Sequence, residues 1–308
     1  MRAKLTVVAA LISAAGLTAC SAPPSGDGEA SLAKVEYTSP SAVPAVAPGQ
    51  ELQLPIDPYL VKQAERAQIL KASRLVAADC MRGFGIELPA PPLTGGKAAA
   101  NENATNMDRR YGIYDDRKAA QFGYSLPEQV EPEGAGQTQS PLSDAENRVF
   151  LGDADPVLEV QPGEKYNGKE IPPGGCAGEA RRKIGDGLRQ EVAGEINFAS
   201  FQRSLTDPQV TAAFKQWSEC MKERGYSFNT PLEPFESAGA NGAGGEAETK
   251  MASYDVECKT RVNLIGAWFA VESEIQKQMI GKREEALHAA SKEREKTIKN
   301  AAAMVAAP

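Results

Sequence analysis

The chain has 308 residues, 24% of them charged and only 6% aromatic, and 34 Lys plus Arg stand against 41 Asp plus Glu for a net charge of -7. That balance excludes a general nucleic-acid binder, because phosphate binding needs a concentrated positive field. The single histidine, His288, excludes multi-histidine metal sites and argues against a histidine-based triad; the sequence calls for no metal and no cofactor.

Arg2 and Lys4 open the chain, and Leu5 to Leu17 is an apolar stretch too short to span a bilayer comfortably. It ends in Leu17-Thr18-Ala19-Cys20, which resembles the bacterial lipobox. The resemblance implies a signal peptide over 1–19 and a diacylglyceryl thioether, with palmitate-type chains, on Cys20. Two acyl chains give stable membrane attachment where one gives only marginal binding. The expected location is the outer face of the cytoplasmic membrane, where disulfides persist. Ser21 to Gln50 is rich in Ser, Pro, Ala and Gly and reads as a tether.

Asp57-Pro58 predicts a helix start, cap followed by proline, with the helix ending near Gly83. Pro89 to Pro92, Lys97 to Asn106 and Glu128 to Ser140 read as loops. Arg109 to Tyr114 and Ala119 to Tyr124 read as short helices with aromatic anchors. Ser143, three residues before Glu146, has capping-box spacing. Gly163 to Gly175 is turn-rich, and Cys176 opens a helix expected to run through Arg189. Asp207-Pro208 starts another, with Val210, Ala213, Phe214, Trp217 and Met221 on one face, ended by Gly225. Ser237 to Glu246 is Gly/Ala-rich. One long last helix is expected from about Tyr254 to beyond Leu287, with His288 exposed on it and a charged tail that stays helical or frays. Strands are few and short, with Ile86 and Phe228 in the best candidates.

Two segments repeat: Cys80-Met81-Arg82-Gly83-Phe84 and Cys220-Met221-Lys222-Glu223-Arg224-Gly225-Tyr226. Allowing two inserted residues, both read Cys-Met, then Arg-Gly-aromatic, and each precedes one later cysteine, Cys176 or Cys258. The fold class is therefore mainly α: two related disulfide-stapled helical units with long loops and a long C-terminal helix. Their expected limits are 51–190 and 191–288, after a lipidated tether over 20–50 and before a polar tail over 289–308. Four cysteines allow three pairings; the duplication favours Cys80 with Cys176 and Cys220 with Cys258. Scattered cysteines without Cys-x-x-Cys spacing argue against a redox pair or a zinc site.

These elements, with Arg110-Tyr111-Gly112-Ile113, Phe122-Gly123-Tyr124 and Pro173-Gly174-Gly175-Cys176, resemble a group of actinobacterial secreted lipoproteins of unknown function. The resemblance implies a lipid-anchored envelope protein and supplies no catalytic residues. Tyr111, Tyr114 and Tyr124 are candidate ligand-facing aromatics, though core is the better reading of them. Trp217 and Phe214 are expected to gather with Trp268 and Phe269 around the second disulfide. Asp115-Asp116 and Asp153 with Asp155 read as turn carboxylates before they read as an acid/base pair. The function expected is a non-enzymatic binding or scaffold module, attached to the membrane through Cys20 and partnered by an envelope protein or cell-wall component. The alternatives are a solute-binding accessory of a membrane transporter or a carboxylate-based hydrolase.

Overall fold

A computed structural model describes residues 32, 35–88, 106–107, 109–124, 142–235 and 245–306. Cys20 and the segment before it lie outside the described residues, as do the expected loops Pro89 to Pro92 and Glu128 to Ser140 and most of those at Lys97 to Asn106 and Ser237 to Glu246. The described chain is mainly helical. Its α-helices are α1 (Gln63–Arg82), α2 (Asp116–Phe122), α3 (Asp144–Leu151), α4 (Gly175–Ile184), α5 (Glu191–Ser204), α6 (Pro208–Glu223), α7 (Glu246–Arg261), α8 (Leu264–Lys282) and α9 (Glu284–Ala306). The only sheet among the described residues is a hairpin of Lys165–Tyr166 with Lys169–Glu170. Asn167 and Gly168 turn it, both at positive φ (48° and 78°), the conformation a two-residue hairpin turn demands. Ile86 and Phe228 belong to no strand.

Capping fixes several helix starts. The Asp207 carboxylate accepts from Gln209 N at 2.7 Å with Pro208 behind it, so α6 begins where Asp-Pro predicts. Ser143 and Glu146 form the expected capping box of α3, with Ser143 N donating to Glu146 Oε2 at 2.8 Å. Asp57-Pro58 departs from the rule. It makes a single 3-10 turn, Asp57–Tyr59, and α1 starts only at Gln63. Asp57 is drawn to other donors, Leu54 N at 2.7 Å and Asn106 Nδ2 at 2.9 Å.

The structure joins Cys80 to Cys176 and Cys220 to Cys258, each with Cα atoms 5.6 Å apart. The sequence separations are 96 and 38. Constraining unfolded loops of those lengths stabilises by about 4.7 and about 3.9 kcal/mol on the chain-entropy account. The first bridge ties the end of α1 to the start of α4, and the second ties α6 to α7. Behind Cys80 and Cys220 the two helix ends share one hydrogen-bond pattern. Ile86 N donates to Met81 O (3.1 Å) and Gly85 N to Arg82 O (2.9 Å); Tyr226 N donates to Met221 O (3.0 Å) and Gly225 N to Lys222 O (3.0 Å). These are paired Schellman motifs with the left-handed glycines at φ 77° and 90°. The repeat is therefore ungapped. Its stop glycine is Gly85, not Gly83, which is still helical at φ -60°.

The main core lies in the second unit. Trp217 and Trp268 are fully buried in it, and Trp268 meets Tyr111 (4.7 Å between centroids), Phe214 (4.8 Å) and Phe201 (5.6 Å). Phe269 packs on its edge. The first unit has two smaller cores, Met81-Phe84-Ile86-Val149-Ile171 around its disulfide and Ile69-Ala72-Val76-Ala77-Ile184 between α1 and α4.

The units interleave, which corrects the boundaries read from sequence. Residues 106–124 belong with the second unit, since Tyr111 stacks on Trp268 and Tyr124 sits against Val256 and Ala252. Conversely α9 crosses back to the first unit, burying Ala301 beside α1 and α4, while Asn300 donates to Ile184 O at 2.8 Å and Arg294 to Leu60 O at 2.8 Å. The tail is thus an ordered helix. The expected single last helix is three helices. Asn263, at φ 49°, breaks α7 from α8, and Arg283 breaks α8 from α9. The tether is also shorter than its composition implies. Val35 and Val46 are buried on the second unit, Tyr37 and Ser39 donate to Asp207 Oδ2 (2.9 and 2.7 Å), and Asn263 Nδ2 reaches Pro44 O at 2.9 Å. Gly266 is required there, because a Cβ would stand 2.0 Å from Pro44 O.

Candidate functional site

A cleft of about 1030 Å³ opens between the Gly49–Gln53 stretch, the 57–63 turn, the 106–115 segment and the start of α5. The sequence reading missed α5 altogether. Its buried face carries Ala193, Ile196, Ser200 and Ser204, so half of it is serine where a run of aliphatic residues would mark a helix. That spacing of three, four and four was the available signal. Gln190, Gly194 and Asn197, again at steps of four and three, line the cleft.

Under the cleft floor lies a connected polar network. Asn106 and Asn197 pair through both carboxamides (2.9 and 2.8 Å), and Asn106 also donates to Asp57. Arg110 donates to Asn197 O at 2.6 Å and passes below into Glu272, which it grips through Nε (3.0 Å to Oε2) and Nη2. Tyr111 OH and Ser200 Oγ complete the carboxylate at 2.7 and 2.9 Å. Glu272 is wholly buried and the Arg110 side chain is 9% exposed. Gln276 continues the chain, donating to Ser200 Oγ at 3.0 Å and accepting from Ile56 N at 3.1 Å. Burial works against the charge on Arg110, but the hydrogen bonds and field of Glu272 outweigh it and hold the guanidinium above its ordinary pKa. Burial pushes the Tyr111 hydroxyl far up, and Glu272 adds to that. Burial also raises Asp57, against its donors Asn106 and Leu54 N.

A second buried pair is purely internal. Asp255 accepts from Trp217 Nε1 (2.9 Å), Tyr124 OH (3.2 Å) and Lys259 Nζ (3.0 Å), while Lys259 also donates to Ile113 O at 2.9 Å. Burial pushes Asp255 up and Lys259 down, opposed by their attraction. Every charged atom there has partners, so this pair fixes α7 against the 113–124 segment.

The three candidate tyrosines separate. Tyr111 and Tyr124 are core, with hydroxyls spent on Glu272 and Asp255. Tyr114 lines the cleft, its hydroxyl donating to Gln50 O at 3.1 Å, which leaves the ring as a fixed wall. The aspartates expected in turns are there. Asp115 caps α2 through Lys118 N (3.0 Å), Asp153 accepts from Gly174 N (2.5 Å), and Asp155 accepts from Val157 N (3.0 Å). His288 is exposed on α9. Among the described residues no group of three or more His, Cys, Asp or Glu could hold a metal ion, and no helix is long and apolar enough to cross a membrane.

The cleft's lining is mixed, with six carboxamides beside charged groups and apolar side chains such as Leu60, Val61 and Ile113. The charged groups are the cations Lys62, Arg66, Arg109 and Lys118 and the carboxylates Glu51, Asp57 and Asp115. Gly194 stands out on its wall. No described atom lies within 4 Å of a Cβ built there, and its φ is negative, so neither backbone nor packing of the described residues demands glycine. Glycine inside a helix costs about 0.5–1 kcal/mol relative to alanine. No protein-family model matches the chain, and no curated protein or solved structure matches it significantly.

Proposed function

We propose that this is an extracytoplasmic binding module, held to the outer face of the cytoplasmic membrane by lipid on Cys20. The sequence Leu17-Thr18-Ala19-Cys20 after a charged and apolar start carries this reading. Two cystines at the structural hearts of both units agree with an oxidising compartment. Such a module presents its folded body to an envelope protein or wall component a short distance above the bilayer, because Val35 and Val46 are already buried on that body. The likeness to actinobacterial secreted lipoproteins points the same way.

The cleft favours a second reading, capture of a solute beside a membrane transporter, since its volume suits a small ligand and its floor is fixed by a satisfied network. Cell fractionation of wild type and Cys20→Ser tests the anchor. Wild type is expected with membranes and Cys20→Ser in the soluble fraction, and an unchanged distribution counts against it. Crosslinking in intact cells separates the readings, because a transporter subunit among the crosslinked partners supports the second and its absence the first.

A further inference from the structure

We infer that the Cys80–Cys176 bridge is a thiol-exchange site, opened by a dithiol oxidoreductase of the thioredoxin type, while Cys220–Cys258 is a fixed staple. The inference goes beyond the binding-module reading and does not depend on it.

The two cystines differ in access. Cys220 and Cys258 are 1% and 0% exposed and lie within the main core, alongside Trp217, Met221 and Trp268. A thiol reaches them only when that core opens, which approaches global unfolding in cost. Cys176 is equally buried, but its partner Cys80 is partly open to solvent in the last turn of α1. The core around this bridge is small, with Met81, Phe84, Ile86, Val149 and Ile171. An attacking thiolate therefore comes from the Cys80 side. Charge favours that approach, since the Lys169 ammonium lies 3.5 Å from Gly83 O and 4.6 Å from the Phe84 ring centroid, just beyond Cys80. The sulfur that must leave is placed to carry charge. Cys176 is the second residue of the ten-residue α4, where the helix dipole favours an anion. Arg181 and Arg182 fold back on the same helix start. The Arg181 guanidinium lies 3.3 Å from the point that a Gly174 Cβ would occupy, and Arg182 Nη1 donates to Pro173 O at 2.5 Å. Both oppose the two features that disfavour a thiolate there, the burial of Cys176 and the Asp153 carboxylate on Gly174 N. A leaving thiol of lower pKa departs faster.

One thiolate of the reductant attacks Cys80 Sγ. A mixed disulfide forms, the Cys80–Cys176 bond breaks, and its electron pair leaves on Cys176 Sγ, which takes up a proton. The reductant's second thiol then gives up its proton and displaces Cys80 Sγ, which takes up a proton in turn. The cystine has gained two electrons and two protons, and the dithiol has become a disulfide. Reduction unties the end of α1 from the start of α4 and leaves α6 joined to α7. The first unit loosens while the second keeps its shape.

The experiment uses the full oxidised chain, purified in detergent and held under nitrogen, with thioredoxin regenerated by NADPH and its reductase. Timed samples are alkylated with iodoacetamide and the four cysteines followed by peptide mass spectrometry. Cys80 and Cys176 should be labelled at least about tenfold faster than Cys220 and Cys258. A thioredoxin variant that lacks its second cysteine should be captured in a mixed disulfide on Cys80. The chain's two tryptophans, Trp217 and Trp268, both lie in the core of the second unit, so near-ultraviolet circular dichroism reports whether that unit stays folded. Its signal should persist while the first bridge opens, and amide hydrogen exchange should quicken in α4 but not in α8. Equal labelling of the two bridges overturns the inference, as does reduction of the first bridge only in denaturant. So does capture on Cys176, Cys220 or Cys258 rather than Cys80. Loss of the tryptophan signal in step with the first bridge, or unaltered exchange in α4 once it is reduced, overturns it as well. None of these outcomes bears on the anchor, which fractionation reads separately.

Discussion

Replacing Glu272 by glutamine isolates what the buried network contributes. Glu272 is fully buried and accepts from Arg110, Tyr111 and Ser200 at both oxygens. The substitution leaves Arg110, only 9% exposed, charged beside an amide that has one acceptor oxygen instead of two. The new NH2 group must also face either the Tyr111 hydroxyl or Arg110 and Ser200, which are already donors. Breaking a buried pair in this way costs about 3–5 kcal/mol, against a total stability of about 5–15 kcal/mol for a typical protein. The internal comparison is Glu223→Gln, which removes the partner of Arg261 at 2.8 Å where both side chains are about half exposed. That loss should stay below about 1 kcal/mol. Urea unfolding followed by far-ultraviolet circular dichroism, with both cystines intact, measures the two. The double variant Arg110→Met with Glu272→Leu should recover part of the loss, since no charge is then stranded. Equal, small losses for Glu272→Gln and Glu223→Gln would refute the reasoning, because the network would then be as weak as a surface pair.

Two further outcomes follow from the geometry. Gly225→Ala and Gly85→Ala should each cost about 1–2 kcal/mol, since both glycines hold left-handed backbone, whereas Gly83→Ala, in helical backbone, should cost less; equal costs at Gly83 and Gly85 in thermal or urea unfolding would contradict the ungapped repeat. Burial, then the hydrogen bond to Asp207, raises the Tyr37 hydroxyl from 10.0 to about 12. A raised folded pKa means that its contribution is complete below the unfolded value and is lost as pH rises through the folded one. Stability should therefore fall between pH 10.0 and about 12 more steeply in wild type than in Tyr37→Phe, and parallel curves from denaturation across that window would contradict it.

Much of the fold was legible because local chemistry and packing agreed. Asp207-Pro208 with the face Val210-Phe214-Trp217-Met221 specifies α6 from either direction, and Ser143 with Glu146 does the same for α3. Two Cys-Met helix ends announced the duplication, although Gly83 masqueraded as the stop until the hydrogen bonds of Gly85 placed it. What escaped was set by distant partners. Asp57 looks like a cap, yet Leu54 N and Asn106 claim it. Val35 and Val46 are too sparse in a Pro/Ala-rich stretch to announce burial. No periodicity places α9 on α1, or Tyr111 on Trp268, because those contacts join residues far apart in the chain. The cleft was invisible for the same reason. Its floor draws Asp57, Asn106, Arg110, Asn197 and Glu272 from four separate segments, and only Tyr114 among its walls stood out by residue type.

Mass spectrometry of the mature N-terminal peptide from membranes tests the placement of this protein most directly. The account predicts a chain that begins at Cys20 with its sulfur in a diacylglyceryl thioether and with the other four cysteines joined in two cystines. A mature chain that still carries Met1, with a free thiol on Cys20, would contradict it.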